Sequence, residues 1–390
     1  MHFERKTLPA ASALVSLVLF AISANIVVAA LVRVSRDFQS TPAVLANAVA
    51  FQFTGFFVAS IIGGFAADRI GKKPVLQTAC VFLGIGALVW SFADSPATAF
   101  SGSFIMGLGG GILESMSSAL LADLFPDKRK FYLNMSQVAY CVGAVGGPAL
   151  MGKLMPAGVS WRVFFLGTTG MAVILFVLYA VSSIPRPQSA QIPSHQAGGE
   201  RGVVRNLTVI LPALLIFLYV TAETGTLTFM IPFLQEKLGA PENLAIYSLS
   251  LFWLGMVFGR LACAFLPEHH GYEPVIGGLL LASSGVALAL VVVQQWQMSI
   301  ALFALIGLFY AGTWPLIVGL AVHMAPTGQA GRVVGITVAC GSLGCVVAPP
   351  MLAPVYASAS PEWMYAILAG ILFLGFILTM YTAAARRRAA

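Results

Sequence analysis

The loop that decides the fold reads Gly64-Phe65-Ala66-Ala67-Asp68-Arg69-Ile70-Gly71-Lys72-Lys73. It places four charged side chains and one glycine between two long apolar runs, 43–67 and 74–93. An apolar run of about 18 residues or more is long enough to cross the hydrocarbon core of a bilayer. The pattern therefore predicts a short polar turn that joins two membrane-spanning helices on one face of a membrane.

The composition of the whole chain is that of a membrane protein. Of its 390 residues, 59% are hydrophobic and 9% are charged, whereas a soluble domain carries about 25% charged residues. In a soluble protein the net charge of +7 would suggest nucleic acid, but here the Lys and Arg residues lie in short loops and at the chain ends. Because there is no basic stripe with exposed aromatics, we expect a lipid bilayer as partner and no nucleic acid.

Twelve apolar segments of spanning length follow one another along the chain. They do not alternate in polarity, so they predict helices and not the strands of a barrel. The first run is longer than the apolar core of a cleaved signal peptide and predicts an uncleaved first helix. The predicted spans are 8–32, 43–67, 74–93, 97–122, 131–152, 163–184, 207–234, 243–266, 274–293, 298–323, 333–357 and 363–385.

The basic residues predict the orientation of the chain. Twelve spans place both termini on one side, and sixteen of the 21 Lys and Arg residues fall on that side. Cytoplasmic loops carry an excess of Lys and Arg, so both termini are predicted to be cytoplasmic. We expect a multi-pass protein of the plasma membrane, the inner membrane of a bacterium, that acts as a monomer.

The second half of the chain repeats landmarks of the first half at an offset of 200 residues. Gly55 and Gly107 match Gly255 and Gly307 in this register. A Pro-rich stretch after the sixth span predicts a flexible cytoplasmic linker, and transporters built from parallel repeats bind substrate near the membrane midplane between them. The predicted domains are a six-helix bundle over 1–184, a linker over 185–206 and a second six-helix bundle over 207–390.

The quoted loop resembles the signature loop of the major facilitator superfamily. The resemblance implies an all-α membrane protein with twelve transmembrane helices in two pseudo-symmetric six-helix bundles, the major facilitator fold. In that family the loop acts as a conformational latch and not as a substrate site. The resemblance assigns this role to Gly64, Asp68, Arg69, Gly71 and Lys72, with Arg260 in the second half.

Two carboxylates interrupt apolar spans far from the ends of those spans. Glu114 follows a run of glycines in the fourth span, and Glu223 lies near the middle of the seventh. An ionisable group inside a membrane is costly and indicates function. We interpret both as proton-coupling groups, with the alternative that each is a structural carboxylate hydrogen-bonded to a neighbouring helix.

Spans four, five, seven and eight are similar to the fucose–galactose–glucose:proton symporter branch of the superfamily. The residues that carry the similarity are Leu113-Glu114, 132–137, 143–144, 252–255 and 259–261. It implies that Glu114 responds to protons and that Gln137 helps to bind a sugar. The chain departs from the branch where Ala29 stands in place of a second carboxylate and Tyr140 in place of a sugar-binding Asn. By hypothesis, Glu223 compensates for the missing carboxylate.

Polar and aromatic side chains at similar depth complete the predicted site. A site for a small solute combines apolar walls with a few hydrogen-bonding groups, although Trp and Tyr also anchor proteins at membrane interfaces. The predicted substrate-binding residues are Asn25, Gln52, Asn134, Gln137, Tyr140, Tyr219, Trp253, Tyr310 and Trp314.

These features predict a proton-coupled secondary transporter of a small organic solute, with a sugar as one candidate, that works by alternating access. A Gly-Gly-Pro sequence ending at Pro148 partly resembles a motif of proton-coupled drug antiporters. The alternative is therefore a proton-driven export antiporter for drugs or amphipathic metabolites. A non-transporting membrane receptor or scaffold is the third interpretation. The sequence has no Walker loop, metal cluster or catalytic triad, so it predicts no enzyme activity, no cofactor and no metal; the expected partners are the solute, protons and lipid.

Overall fold

Helices make up nearly all of the chain that the structure describes. The computed structural model describes residues 4–184, 207–264, 271–325, 329–358 and 361–389, so the predicted linker 185–206 lies outside the described residues. A bilayer offers no water to backbone N–H and C=O groups, and an α-helix satisfies these groups within its own segment. Long apolar runs in this chain therefore become long helices.

The helices of the N-terminal half begin and end close to the predicted spans. They are α1 (Glu4–Asp37), α2 (Pro42–Leu45), α3 (Asn47–Ile70), α4 (Lys72–Ser91), α5 (Pro96–Leu124), α6 (Arg129–Leu154) and α7 (Trp161–Val181). The short α2 and α3 together form one candidate span, and a 3₁₀ turn at Pro126–Lys128 joins α5 to α6.

The C-terminal half contains α8 (Leu207–Pro232), α9 (Glu242–Ala264), α10 (Tyr272–Val292), α11 (Trp296–Tyr310), α12 (Thr313–Met324), α13 (Ala330–Tyr356) and α14 (Trp363–Ala389). A π-helical turn at Phe233–Lys237 extends α8. The predicted span 298–323 is present as one candidate span, Trp296–Met324, but the chain turns inside it at Ala311 and Gly312, between α11 and α12. Pro315 explains the break, since it has no N–H to donate to the carbonyl of Ala311.

Eleven spans in the described chain are long and apolar enough to cross a membrane. The predicted twelfth, 131–152, is the helix α6, which has 26 residues. It is more polar than the others because it carries Asn134, Ser136 and Gln137. At 1.5 Å per residue it is about 39 Å long, against a hydrocarbon core of about 30 Å. The predicted all-helical membrane fold is therefore confirmed.

Residue contacts divide the chain into two compact units. The first comprises Met1–Gln191 with Glu242–Ser250, and the second comprises Ile192–Pro241 with Leu251–Ala390. Within the first unit α1 packs against α6 and α7, and α4 packs against α7. Within the second unit α8 packs against α13 and α14, and α10 packs against α14. These pairs correspond under the predicted repeat.

Glycines at matched positions make matched contacts in the two units. At each of them a Cβ atom would overlap a backbone carbonyl oxygen of the neighbouring helix. Helices whose backbones approach this closely need the smallest side chain at the contact. The structure thus confirms the repeat at its offset of 200 residues. The matched contacts are Gly107 on Gln52 with Gly307 on Phe252, and Gly55 on Phe104 with Gly255 on Ala304.

The outward surface of the first unit is apolar, as contact with lipid requires. In α7 the side chains of Val173, Ile174 and Val181 are each more than half exposed. In water such a continuous apolar surface would drive association. In a bilayer it meets acyl chains, and the exposed and buried faces of the helix can be equally apolar.

We predict that Gly107→Ala and Gly307→Ala each destabilise the protein by about 1–3 kcal/mol, because the added methyl group has no space. Thermal unfolding of purified protein in detergent, followed by tryptophan fluorescence, measures the change. The controls are Gly170→Ala and Gly370→Ala, also 200 residues apart, which have no atom within 4 Å of the added carbon. Equal melting temperatures for all four variants would contradict the close helix contacts.

Candidate functional site

The charged loop between α3 and α4 ties helix ends together in the first unit. Gly71 has a φ of 89°, in the left-handed region that glycine adopts without steric cost. This turn starts α4 at Lys72, which forms an ion pair with Asp123 and lies 3.4 Å from the carbonyl oxygen of Ala119. Both partners belong to the last turns of α5. Of the predicted latch residues, Gly71 and Lys72 therefore connect α4 to α5.

The neighbouring lysine extends the same set of contacts to α7. Lys73 donates hydrogen bonds to the carbonyl oxygens of Ala180 and Ser182, at 2.7 and 3.0 Å. At the same end of the unit Lys6 donates to the carbonyl oxygen of Leu124 at 2.9 Å. Cations near helix C-termini are favourable because the last carbonyls lack helical partners and the helix dipole is negative there. Three lysines thus stabilise the ends of α5 and α7.

A glycine at position 64 could allow close approach of a neighbouring helix, but the described residues show no such contact there. No atom lies within 4 Å of a Cβ built on Gly64, whereas one built on Gly63 lies 2.9 Å from Cγ1 of Ile112. The contact is thus one residue earlier in α3. Asp68 and Arg69 are exposed, and their function as a latch stays a prediction.

Glu114 lies on the face of α5 that points toward α1 and α6. One turn earlier, a Cβ on Gly110 would stand 2.6 Å from the ring of Phe20, and residues four apart share a helix face. The ring of Phe20 lies 5.5 Å from that of Phe56 and 5.7 Å from that of Tyr140. Glu114 is half-buried, so an aromatic group flanks a carboxylate that keeps an accessible surface.

The other polar residues predicted in the first unit fall into two groups. Asn25 is buried, and its amide donates to its own helix at Ala21, at 2.8 Å. Gln52 is buried as well and donates to the carbonyl oxygen of Ser23 at 3.3 Å, which joins α3 to α1. In contrast, Asn134 and Gln137 on α6 are exposed. Of these four residues, only the two on α6 therefore have exposed side chains.

Glu223 lies in α8 among groups of the second unit. The hydroxyl of Tyr219, one turn earlier, lies close enough to the Glu223 carboxylate to donate a hydrogen bond to it. Arg260 of α9 is close enough to both side chains to interact with them electrostatically. Glu223 is half-buried. A carboxylate in hydrocarbon needs a donor and a compensating charge, and Tyr219 and Arg260 supply them. The sequence assigns Arg260 to the latch, a role that stays a prediction.

The hydroxyl of Tyr219 has one proton and two acceptors. Besides Glu223 it lies 3.0 Å from the backbone carbonyl oxygen of Tyr310, to which it can donate. A charged Glu223 competes for this proton, whereas a protonated Glu223 can donate to Tyr219 and leave Tyr219 to donate to Tyr310. Protonation of Glu223 therefore changes which groups are hydrogen-bonded inside the second unit.

Most of the predicted aromatic residues of the second unit are buried. Tyr219, Tyr310 and Trp253 are 1%, 0% and 6% exposed, so they pack in the interior, and their contact with substrate stays a prediction. Trp314 is half-buried, and its ring lies 2.9 Å from a Cβ built on Gly341 of α13. Sequence reasoning missed the electrostatic interaction of Arg260 with Glu223, although an arginine inside an apolar span is itself a signal.

The family model named Major Facilitator Superfamily matches residues 13–273 and 212–389 of the chain. The protein therefore belongs to the major facilitator superfamily and is a multi-pass membrane transporter. Members of this family bind small-molecule substrates.

Two sequence relatives carry names that describe their solutes. The multidrug resistance protein MdtL of Klebsiella pneumoniae (strain 342) is 26% identical over 328 residues, which cover 80% of each chain. The gentisate transporter of Corynebacterium glutamicum is 23% identical over 330 residues, which cover 81% of this chain and 74% of the relative. Neither is a sugar transporter by name, and the resemblance to the fucose branch stays a prediction.

Solved structures of the family share the fold. A D-xylose-proton symporter has a TM-score of 0.78 at 16% identity and covers 95% of this chain and 96% of its own. The nucleoside transporter NupG has a TM-score of 0.81 at 12% identity and covers 96% of this chain and 99% of its own. At these identities the likeness shows the major facilitator fold alone.

We predict that a cysteine at position 137 reacts with a charged, membrane-impermeant thiol reagent, because a polar side chain exposed within a span faces water and not lipid. The native cysteines are replaced beforehand, and labelling is followed by mass shift. Val142→Cys is the matched control, since Val142 is also exposed but lies about 140° away around the helix. Labelling of the control alone would place Gln137 against lipid.

Proposed function

We propose that the protein is a proton-coupled secondary transporter of a small organic solute, with Glu114 and Glu223 as the proton-coupling groups. One observation carries the proposal: each unit holds a half-buried carboxylate far inside an apolar helix. A charged group is costly in hydrocarbon, so a carboxylate at this depth indicates a function. In the second unit Tyr219 and Arg260 provide the partners that make both protonation states of Glu223 tolerable.

Coupling follows from the change that a proton makes to the hydrogen bonds. A charged Glu223 accepts from Tyr219, whereas a neutral one can donate to it, and two conformations of the transporter can differ in which state they favour. Alternating access then links the binding of a proton to the binding of the solute. The energy comes from an ion or solute gradient, without ATP hydrolysis.

The positive-inside rule supports cytoplasmic termini, and the bacterial relatives support the inner membrane of a bacterium as the location. Lys6, Lys72 and Lys73 cluster at one end of the first unit. Their positions agree with a cytoplasmic face. The proposal needs only one copy of the chain, because both carboxylates lie on it.

The class of solute is narrowed by the accessible side chains. The half-buried ring of Tyr140, which packs on the buried ring of Phe20, suits an aromatic or amphipathic solute as well as a sugar ring, and Gln137 adds an amide. The names of the two relatives, a multidrug resistance protein and a gentisate transporter, favour an aromatic or amphipathic solute over a sugar. Export by proton antiport is therefore the second candidate function.

Transport assays on purified protein in liposomes separate these candidates. We would test gentisate, D-xylose and ethidium as probes of an aromatic acid, a sugar and an amphipathic cation, with a pH gradient imposed in each direction. Accumulation on the alkaline side supports symport, and accumulation on the acidic side supports antiport. Thermal shift with a wider ligand panel finds further solutes to assay. Binding without flux of any solute would favour the receptor interpretation instead.

We predict that Glu114→Gln and Glu223→Gln each abolish gradient-driven accumulation but retain exchange of labelled for unlabelled solute. An amide keeps the shape and hydrogen-bonding ability of the protonated acid and cannot release a proton. Asp94→Asn, which changes an exposed carboxylate of the first unit, is the control and should accumulate solute normally. Unchanged accumulation in either Glu variant would exclude that residue from coupling.

A further inference from the structure

An apolar groove runs between α4 and α7 on the surface of the first unit. We propose that this groove binds one acyl chain of an anionic phospholipid whose phosphate contacts Lys73. The inference goes beyond the proposed function, because it concerns a lipid of the surrounding membrane and not the transported solute.

The groove has a buried floor and exposed walls. Its volume is about 290 Å³. Cys80, Gly84 and Ala172 form the floor and are buried. A Cβ built on Gly84 would lie 3.4 Å from Cβ of Ala172, so the floor lies where α4 and α7 come close together. The walls are exposed apolar side chains, namely Val81, Ile85, Leu88, Val173 and Phe176. The groove therefore opens on the surface that faces lipid.

The lining suits hydrocarbon and not a polar solute. Thr169 is the lining residue that carries a hydroxyl. Its Oγ1 donates within the two helices, at 3.1 Å from the carbonyl oxygen of Gly84 and 3.2 Å from that of Phe165. A polar solute would lose its hydration in the groove without gaining a partner. An acyl chain loses no hydrogen bond there and gains contact with the walls.

Lys73 stands on the same pair of helices, at one end of the groove. Because it belongs to α4 and donates to the carbonyl oxygens of Ala180 and Ser182, its ammonium group bridges α4 to the end of α7. Cys80 follows it by two helical turns and therefore shares its face of α4. An ammonium group has three donors, and these carbonyls use two. No ion pair among the described residues includes Lys73, so its charge suits a phosphate.

The distances match one leaflet of a bilayer. From Lys73 the helix advances roughly 10 Å to Cys80 and roughly 22 Å to Leu88, at 1.5 Å per residue. Half of a bilayer is roughly 20–22 Å thick with its headgroups, of which roughly 15 Å is hydrocarbon. A phosphate at Lys73 thus places its acyl chains at the depth of the groove. In the proposed orientation this end is cytoplasmic, where anionic lipids are attracted to basic residues beside membrane helices.

The second unit differs at the corresponding positions. There α10 packs against α14 as α4 packs against α7. Leu372 is 0% exposed and larger than the alanine of the floor, and Glu273 is a buried acid where the first unit has a lysine. The three replacements are Lys73 by Glu273, Gly84 by Ser284 and Ala172 by Leu372. We therefore expect one such lipid site in the chain and not two.

The test of the headgroup contact uses the purified full-length protein in detergent. Native mass spectrometry measures the binding of dioleoylphosphatidylglycerol, which is anionic, and of dioleoylphosphatidylcholine, which is zwitterionic. We expect one phosphatidylglycerol to bind about fivefold more tightly than phosphatidylcholine, because one basic residue contributes about that much. Lys73→Gln should remove this preference, and Lys73→Arg should retain it. Lys128→Gln is the control, since it removes an exposed charge in the turn between α5 and α6 and should retain the preference.

The test of the groove uses two neighbouring residues of α7. Val173→Trp should weaken the binding of phosphatidylglycerol at least fivefold, because the larger side chain occupies the space of the acyl chain. Ile174→Trp is the matched control. Val173 and Ile174 are 59% and 62% exposed, but Val173 lines the groove and Ile174 does not. The control should bind phosphatidylglycerol as the unchanged protein does.

Each unfavourable result contradicts the site. Equal affinities of Val173→Trp and Ile174→Trp would show that no acyl chain occupies the groove. A preference for phosphatidylglycerol that survives Lys73→Gln would show that the phosphate binds elsewhere. A dimer in the unchanged protein that Val173→Trp abolishes would show that a second copy of the chain, and not a lipid, covers the groove. None of these results bears on proton coupling, so the lipid site and the proposed function fail separately.

Discussion

The rest of the structure depends on the close contact of backbones at glycines in the two units. In the first unit the glycine run of α5 uses several faces of the helix: Gly107 and Gly111 meet α3, Gly109 meets α4, and Gly110 meets the ring of Phe20 on α1. A helix held this closely on three sides cannot rotate, and this fixes the direction of Glu114 one turn beyond Gly110. Of these contacts, that of Gly107 recurs in the second unit at Gly307, and the contact of Gly55 with α5 recurs at Gly255.

The two units share a frame and differ in chemistry. At the position that corresponds to Glu114 the second unit has Trp314, beside a helix break at Pro315. At the position that corresponds to Glu223 the first unit has Ser23, which is buried and bonds to its own helix. Each unit therefore keeps one carboxylate inside the membrane, on non-equivalent helices. The repeated glycine contacts stabilise the fold in both units. The two carboxylates lie at positions that the repeat does not relate to each other.

The sequence predicts well what the bilayer dictates and less well what depends on helix rotation. Spans, repeat and glycine contacts follow from the cost of unsatisfied backbone and from the space a side chain occupies. The break at Pro315 has a local cause that the apolar run conceals.

The contact at Gly63 instead of Gly64 differs by one residue, or about 100° around a helix. Whether Asn25 is buried and Gln137 exposed depends on which neighbour each helix face meets. The electrostatic interaction of Arg260 with Glu223 depends on how far a long side chain reaches between helices. A single sequence does not contain that information.

The most direct test of the account is whether movement of a solute moves protons. Protein in weakly buffered liposomes, with no pH gradient and with a pH indicator inside, is given a solute that it transports. The account predicts a pH change inside that depends on the solute: acidification for symport, and alkalinisation for antiport. Solute uptake with no change in internal pH would show a uniporter and would contradict proton coupling.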